Sequence, residues 1–98
     1  MDHCSHRTRF PKPFDTVSTA AIAEMGCSYG IVMRGKDWEY DDLDGGQGSI
    51  GYLQAVKKEH IDKKCVYVRW PLSGITLEHR AGAGGSYDLL YAPYRSVF

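Results

Sequence analysis

The chain has 98 residues and a mass of 11.0 kDa, which is enough for one compact domain and too little for two. Twelve Lys and Arg balance twelve Asp and Glu, so there is no broad positive field for nonspecific binding to nucleic acid or anionic membranes. A hydrophobic share of 43% excludes a disordered chain and predicts a small core. Eleven Gly and seven Tyr favour short strands and tight turns over a helix bundle.

The N-terminal quarter of the chain is predicted to be mostly irregular. Its first part is polar and basic, and Pro11 and Pro13 disfavour a helix there. Asp15 or Ser18 is a candidate cap for a turn or two of helix that stops at Gly26. We therefore assign residues 1–25 to a tail or linker and residues 26–98 to a folded domain.

Patterns typical of strands follow from residue 30 onward. Apolar runs at 31–34, 49–56 and 87–91 are candidate strands, and residues 65–70 alternate between two faces. The four residues 71–74, with Pro first and Gly last, suit a turn, so residues 65–80 are predicted to form a β-hairpin. Five short strands joined by Gly-rich turns predict an all-β fold closed into a small barrel, because closure protects the edges of a sheet.

The cysteines and the apolar segments indicate a cellular setting. Cys4, Cys27 and Cys65 are odd in number and widely spaced, which favours a reducing compartment over a disulfide framework. The N-terminus has no apolar segment typical of a secretory signal, and no stretch is long enough to span a membrane. We therefore expect a soluble cytoplasmic protein without membrane insertion.

Three motifs resemble functional sites, but the residues around them do not fit the functions that the motifs suggest. Residues 46–51 fit G-x-G-x-x-G, but a charged loop precedes them and a strand follows, so dinucleotide binding is not expected. A calcium loop centred on Gly45 would place Tyr40 at the first ligand position and Gly51 where a bidentate Glu belongs. Cys65 has no nearby His base in a structured segment, so it is predicted to be a packed side chain rather than a nucleophile.

The zero net charge hides two segments of opposite sign. Residues 36–44 carry a formal charge of −4 and include Trp38 and Tyr40, whereas residues 57–69 carry +3. An acidic loop with aromatic side chains is a surface that a basic peptide would bind. Trp38 is also a candidate core residue, as is Trp70, while Tyr40 is the stronger candidate for a surface contact.

The residues of this loop carry a resemblance to a known family. The segment VMRGKDWEY at 32–40, followed by DGGQG at 44–48 and by Gly51, resembles the V-x-R-G-x-D-W-x-W and Q-D-G-G-x-G-x-x-G signatures of the Mind bomb/HERC domain of ubiquitin ligases. The later segments VRW, RAG and GSYDL follow the family pattern in the same order, so the resemblance covers about residues 30–91. Departures from the pattern occur at Tyr40, Leu43, Pro71, Leu72 and His79.

This resemblance implies an SH3-like barrel that recognises a substrate protein, while a separate RING or HECT domain transfers ubiquitin. Neither catalytic domain is recognisable in the sequence, so we expect a binding module and not an enzyme. His3, His6, Arg7 and Phe10 resemble the end of a ZZ-type zinc finger. We expect no cofactor, with zinc possible only where an upstream finger completes the ligand set.

The residues and the resemblance together predict peptide binding along the acidic aromatic surface, with no nucleic-acid partner. A basic cytoplasmic tail is the kind of ligand expected. Tyr40 is the predicted aromatic contact, Asp41 and Asp42 the charge partners, and Trp38 and Trp70 the pocket floor or core. The alternative is an orphan structural module that mediates self-association. The predicted peptide-binding residues are Arg34, Trp38, Tyr40, Asp41, Asp42, Asp44, Trp70 and Tyr87, and the glycines predicted to shape the loop are Gly45, Gly46, Gly48 and Gly51.

Overall fold

A computed structural model describes residues 11–25 and 30–93, and every strand in this part of the chain belongs to one antiparallel sheet. A 3-10 turn at Ala83–Gly85 precedes the last strand. The other elements, in chain order, are α1 (Thr19–Met25), β1 (Ile31–Arg34), β2 (Gly51–Leu53), α2 (Lys58–Lys63), β3 (Cys65–Trp70), β4 (Ile75–Arg80) and β5 (Leu89–Tyr91).

The sheet is curled and has the strand order β4-β3-β2-β1-β5. The longest ladder joins β3 and β4, in which Cys65 pairs with Arg80 at one end and Trp70 with Ile75 at the other. An additional bridge between Ala81 and Tyr87 links the chain beyond β4 to the segment that enters β5. The predictions of an all-β barrel and of a hairpin over 65–80 are therefore confirmed.

Side-chain alternation along β3 defines the two faces of the sheet. Val66, Val68 and Trp70 point inward and are fully buried, whereas Tyr67 and Arg69 point outward and are exposed. This is the period of two that the sequence shows, because successive side chains of a strand lie on opposite faces. The buried cluster consists of Val17, Ile22, Val32, Val66, Val68, Trp70, Ala81, Leu89 and Tyr91.

Part of the segment assigned to an N-terminal tail packs against the barrel. The backbone amide of Phe14 donates to the carbonyl of Tyr91 at 2.7 Å, and that of Val17 donates to Leu89 at 3.0 Å. Val17 itself is fully buried in the core. The physical reason is that β5 is an edge strand, whose unpaired polar groups this segment satisfies. Residues 14–17 therefore extend the pairing of β5 and contribute Val17 to the core.

Helix α1 begins as the sequence predicts, with the Ser18 hydroxyl accepting a hydrogen bond from the Ala21 amide at 3.4 Å. Its predicted end at Gly26 lies outside the described residues, as do His3, Cys4 and His6. Neither helix in the described part of the chain is long and apolar enough to cross a membrane.

Helix α2 was not expected from the sequence, and of the strand predicted over 49–56 only Gly51–Leu53 is a strand in the structure. Its six residues are nearly all charged and show no apolar period, so the usual signal of an amphipathic helix is absent. The helix is fixed at its ends instead. The Lys57 amide donates to Nδ1 of His60 at 2.9 Å, and Lys64 ends the helix in the left-handed conformation with φ of 61°.

The glycines after the acidic loop serve two different structural purposes. Gly45 and Gly48 have φ of 105° and 93°, a conformation that side chains with a Cβ rarely adopt. Gly51 instead lies against the core, where an added Cβ would come within 2.6 Å of the Trp70 ring and of Val68 Cγ1. A side chain at position 51 would therefore push the centre of β3 outward.

We predict that Gly51→Ala lowers the free energy of unfolding by about 1–3 kcal/mol, because the new methyl group overpacks the core beside Trp70. Urea denaturation measures this change. Gly30→Ala is the matched control, since its added Cβ would meet only the Leu53 carbonyl at an ordinary 3.7 Å. Equal stability of the two variants would contradict the close packing at Gly51.

Candidate functional site

The acidic loop after β1 is held in place by the buried carboxylate of Asp44. Arg34 donates to it through two nitrogens, from Nε to Oδ2 at 2.8 Å and from Nη2 to Oδ1 at 2.7 Å. The backbone amide of Gly46 adds a third hydrogen bond at 3.0 Å. Burial raises the pKa of Asp44, but the hydrogen bonds from Arg34 and Gly46 outweigh it and lower the pKa below its usual value.

A second buried carboxylate, Asp88, holds the other end of the same loop. Arg80 donates to Asp88 from its backbone amide at 2.7 Å and from Nη2 at 2.8 Å, and the Tyr40 hydroxyl donates to it at 3.0 Å. Arg80 Nη2 also donates to the Asp37 carbonyl at 3.0 Å and lies 3.4 Å from the Glu39 carboxylate. The hydrogen bonds with Asp88 raise the pKa of Arg80. One arginine therefore joins β4, the entry to β5 and the loop.

Four aromatic rings fill the space between the loop and the sheet. Trp38 stacks on His79 with ring centroids 5.2 Å apart and meets Trp70 edge-on at 5.4 Å. Tyr40 meets His79 edge-on at 4.8 Å. Trp70 and His79 are buried, whereas Trp38 and Tyr40 are half-buried. Tyr40 and His79, two of the departures from the family pattern, are thus in direct contact with each other.

His79 is a neutral core residue in this cluster. Its Nε2 accepts a hydrogen bond from Trp70 Nε1 at 3.0 Å, which places the ring proton on Nδ1. Burial lowers the pKa of His79 to about 4, against the opposing effect of the Asp88 and Asp44 carboxylates. Nδ1 has no hydrogen-bond partner among the described residues.

The structure divides the predicted binding residues into a supporting set and an exposed set. Asp44 and Trp70 are fully buried, and Arg34 is occupied by Asp44. Asp41 and Asp42 are exposed, and the Asp42 side chain retains 84% of its accessible surface although Arg34 lies 3.3 Å away.

Tyr87 is half-buried at the edge of this site. Its backbone amide donates to the Asp37 carboxylate at 2.7 Å, and Lys36 Nζ lies 5.7 Å from its ring centroid. Three residues important to the site were missed by sequence reasoning, namely Asp37, Arg80 and Asp88. All three lie within the segments that carry the family resemblance, and this is the signal in the sequence that could have found them. A buried charge is costly unless it is paired, which is why an arginine and an aspartate occur together here.

The charge of the acidic loop is partly neutralised inside the domain. Counting Arg34, Arg80 and Asp88 together with residues 36–44 reduces the formal charge from −4 to −3. The free acidic character lies at the exposed carboxylates of Glu39, Asp41 and Asp42. Within residues 11–25 and 30–93 no three His, Cys, Asp or Glu side chains are grouped so as to hold a metal ion.

We predict that Asp88→Asn lowers the free energy of unfolding by about 2–4 kcal/mol, because it leaves Arg80 without its buried charge partner. Urea unfolding followed by Trp fluorescence measures the loss. Glu39→Gln is the control, since it removes the exposed partner of the same arginine and is expected to cost less than about 0.5 kcal/mol. Similar losses in both variants would refute the role of the buried pair.

We predict that the domain loses about 2 kcal/mol of stability between about pH 7.5 and about pH 5 on account of His79. The unfolded chain takes up a proton as the pH falls through the ordinary histidine pKa of 6.5, whereas the folded ring resists until about 4. The neutral ring therefore contributes stability above pH 6.5 that is lost on acidification.

Urea titrations at several pH values test this expectation in His79→Phe, which should show a flatter dependence over this interval. An unchanged pH dependence in His79→Phe would show that another group is responsible.

Comparison with known proteins agrees with the resemblance seen in the sequence. A sequence model of the Mib_herc2 family matches residues 30–93. The chain is also similar to the E3 ubiquitin-protein ligase hecd-1 of Caenorhabditis elegans, with 36% identity over 58 residues. That alignment covers 59% of this chain and 2% of the relative, so the chain spans only a small part of that ligase. The matched residues include all five strands and both arginine–aspartate pairs. The match to the family model over residues 30–93 shows that the chain belongs to the Mib_herc2 family.

Proposed function

We propose that this domain is a substrate-recognition module that binds a basic peptide segment of a cytoplasmic protein for a ubiquitin ligase. The observation that carries the proposal is a group of exposed carboxylates held on a firmly anchored loop beside partly exposed aromatic rings. Asp41 and Asp42 supply the charge, and Trp38 and Tyr40 supply the rings. Such a combination provides both long-range attraction and a stiff contact surface for a peptide.

The anchoring of the loop favours binding because little conformational entropy remains to be lost. Trp38 Nε1 donates to the Asp41 carbonyl at 2.8 Å, and Arg34 Nη2 donates to the same oxygen at 3.2 Å. Asp41 adopts a positive φ of 49°, which turns the chain at this point. A preformed surface binds a ligand more tightly because it loses less conformational entropy on binding.

Lysine and arginine side chains are the peptide groups that fit this surface. The carboxylates of Asp41 and Asp42 are open to solvent, and an approaching cation would not have to displace the buried Arg34–Asp44 pair. The rings of Trp38 and Tyr40 are only half-buried, and their exposed parts can contact the aliphatic part of such a side chain. Ubiquitin transfer would belong to catalytic domains elsewhere in a ligase, with this domain contributing recognition.

The experiment is a titration of the 98-residue chain with a lysine- and arginine-containing peptide of about ten residues, followed by tryptophan fluorescence. Asp42→Asn is expected to weaken binding about three- to tenfold by removing an exposed charge. Asp62→Asn is the control, because Asp62 is also an exposed carboxylate but lies on α2, where it pairs with Lys58 at 3.1 Å. It is expected to leave the affinity unchanged.

Equal effects of Asp42→Asn and Asp62→Asn would mean that the peptide responds only to overall charge, and the proposed site would be wrong. The competing hypothesis of a self-associating structural module makes a different prediction. It predicts no saturable peptide binding and a concentration-dependent mass in sedimentation experiments.

A further inference from the structure

The side of the sheet that faces away from the core carries exposed aromatic and cationic side chains that are not part of the candidate site. We define the outer face as the outward side chains at the centre of β2, β3 and β4, namely Tyr52, Tyr67, Arg69, Thr76 and Glu78. Tyr52 and Tyr67 retain 44% and 36% of their accessible surface. Arg69 lies between Tyr52 and Thr76 in the register of the three strands. Aromatic and cationic groups therefore form a continuous patch.

Helix α2 lies next to the outer face; its residues Lys58–Lys63 carry no net charge, but a lysine stands at each end, Lys57 and Lys64. His60 contacts the ring of Tyr67, with centroids 5.5 Å apart, so the helix lies along one side of the patch. Lys63 at the end of the helix pairs with Glu78 on β4 at 3.2 Å. Lys57 and Arg69 have no ion-pair partner within the described ranges 11–25 and 30–93, so their charges remain available.

The outer face is physically separate from the acidic loop. Val66 and Val68 alternate with Tyr67 and Arg69 along β3 and point into the core. The loop packs its Trp38 ring against Trp70, which shares that inner face. A ligand on the outer face would therefore touch none of the carboxylates assigned to the basic-peptide site.

We propose that the outer face binds an acidic peptide segment that places an aromatic or aliphatic side chain between Tyr52 and Tyr67. Charge complementarity selects the ligand, because residues 57–69 together with Glu78 carry a formal charge of +2. A nucleic-acid strand is a poorer fit, since a peptide can place uncharged residues opposite Glu59, Asp62 and Glu78, whereas a continuous phosphate backbone would be repelled by them. The domain would then hold two peptide segments of opposite charge on two sides.

Fluorescence anisotropy with a labelled peptide of about ten residues, rich in Asp and Glu and with one central Leu, tests this proposal. Arg69→Glu is expected to weaken binding at least about tenfold, because an attractive charge at the centre of the patch becomes repulsive. Arg69→Lys keeps the charge and should retain most of the affinity. Asp42→Asn, which acts on the other surface, should leave it unchanged.

Three outcomes would overturn the proposal. They are the absence of saturable binding to the acidic peptide, binding that Arg69→Glu does not weaken while the variant keeps the wild-type unfolding midpoint, and tighter binding to a single-stranded oligonucleotide than to the peptide. Affinity that falls as sodium chloride rises from about 50 to about 300 mM and that depends on Arg69 would support it. Loss of basic-peptide binding in Asp42→Asn tests the other site alone, so the two proposals fail independently.

Discussion

The buried carboxylate of Asp88 accepts hydrogen bonds from both Arg80 and Tyr40. The position of most of the site depends on these two contacts. Arg80 ends β4, Asp88 precedes β5, and Tyr40 lies in the loop that follows β1. These three parts of the chain are up to 48 residues apart in sequence. Polar groups that are removed from water need partners, and the loop cannot leave the sheet without taking the Tyr40 hydroxyl from Asp88 and the Asp37 carbonyl from Arg80. The position of the acidic surface follows from that constraint.

The sequence alone predicted the strands wherever side-chain alternation or a tight turn marked them. The hairpin of β3 and β4 is such a case, because the inward Val66, Val68 and Trp70 alternate with outward residues. Helix α2 was missed, since six mostly charged residues carry no apolar period and the helix is specified by its ends. The packing of Val17 was missed as well, because it depends on an edge strand more than 70 residues further along the chain.

The residue types of the candidate site could be predicted from the sequence, but their arrangement in space could not. An acidic aromatic loop is visible in residues 36–44, whereas the division between buried and exposed acids is not. Asp42 and Asp44 are two positions apart, yet one is nearly fully exposed and the other is fully buried against Arg34. Which carboxylate faces the core depends on loop turns set by Asp41 and Gly45, whose positive φ values are features of the folded chain.

The contact between the N-terminal segment and β5 bears on where a recombinant fragment of this domain should begin. The family match begins at residue 30, but Val17 upstream of that point is part of the core. A recombinant fragment cut at residue 30 would leave Leu89 and Tyr91 without the backbone partners that residues 14–17 supply. The edge of β5 would then be open to pairing with another chain, and such edges favour aggregation. The unit that folds is therefore longer at its N-terminus than the unit that is similar in sequence.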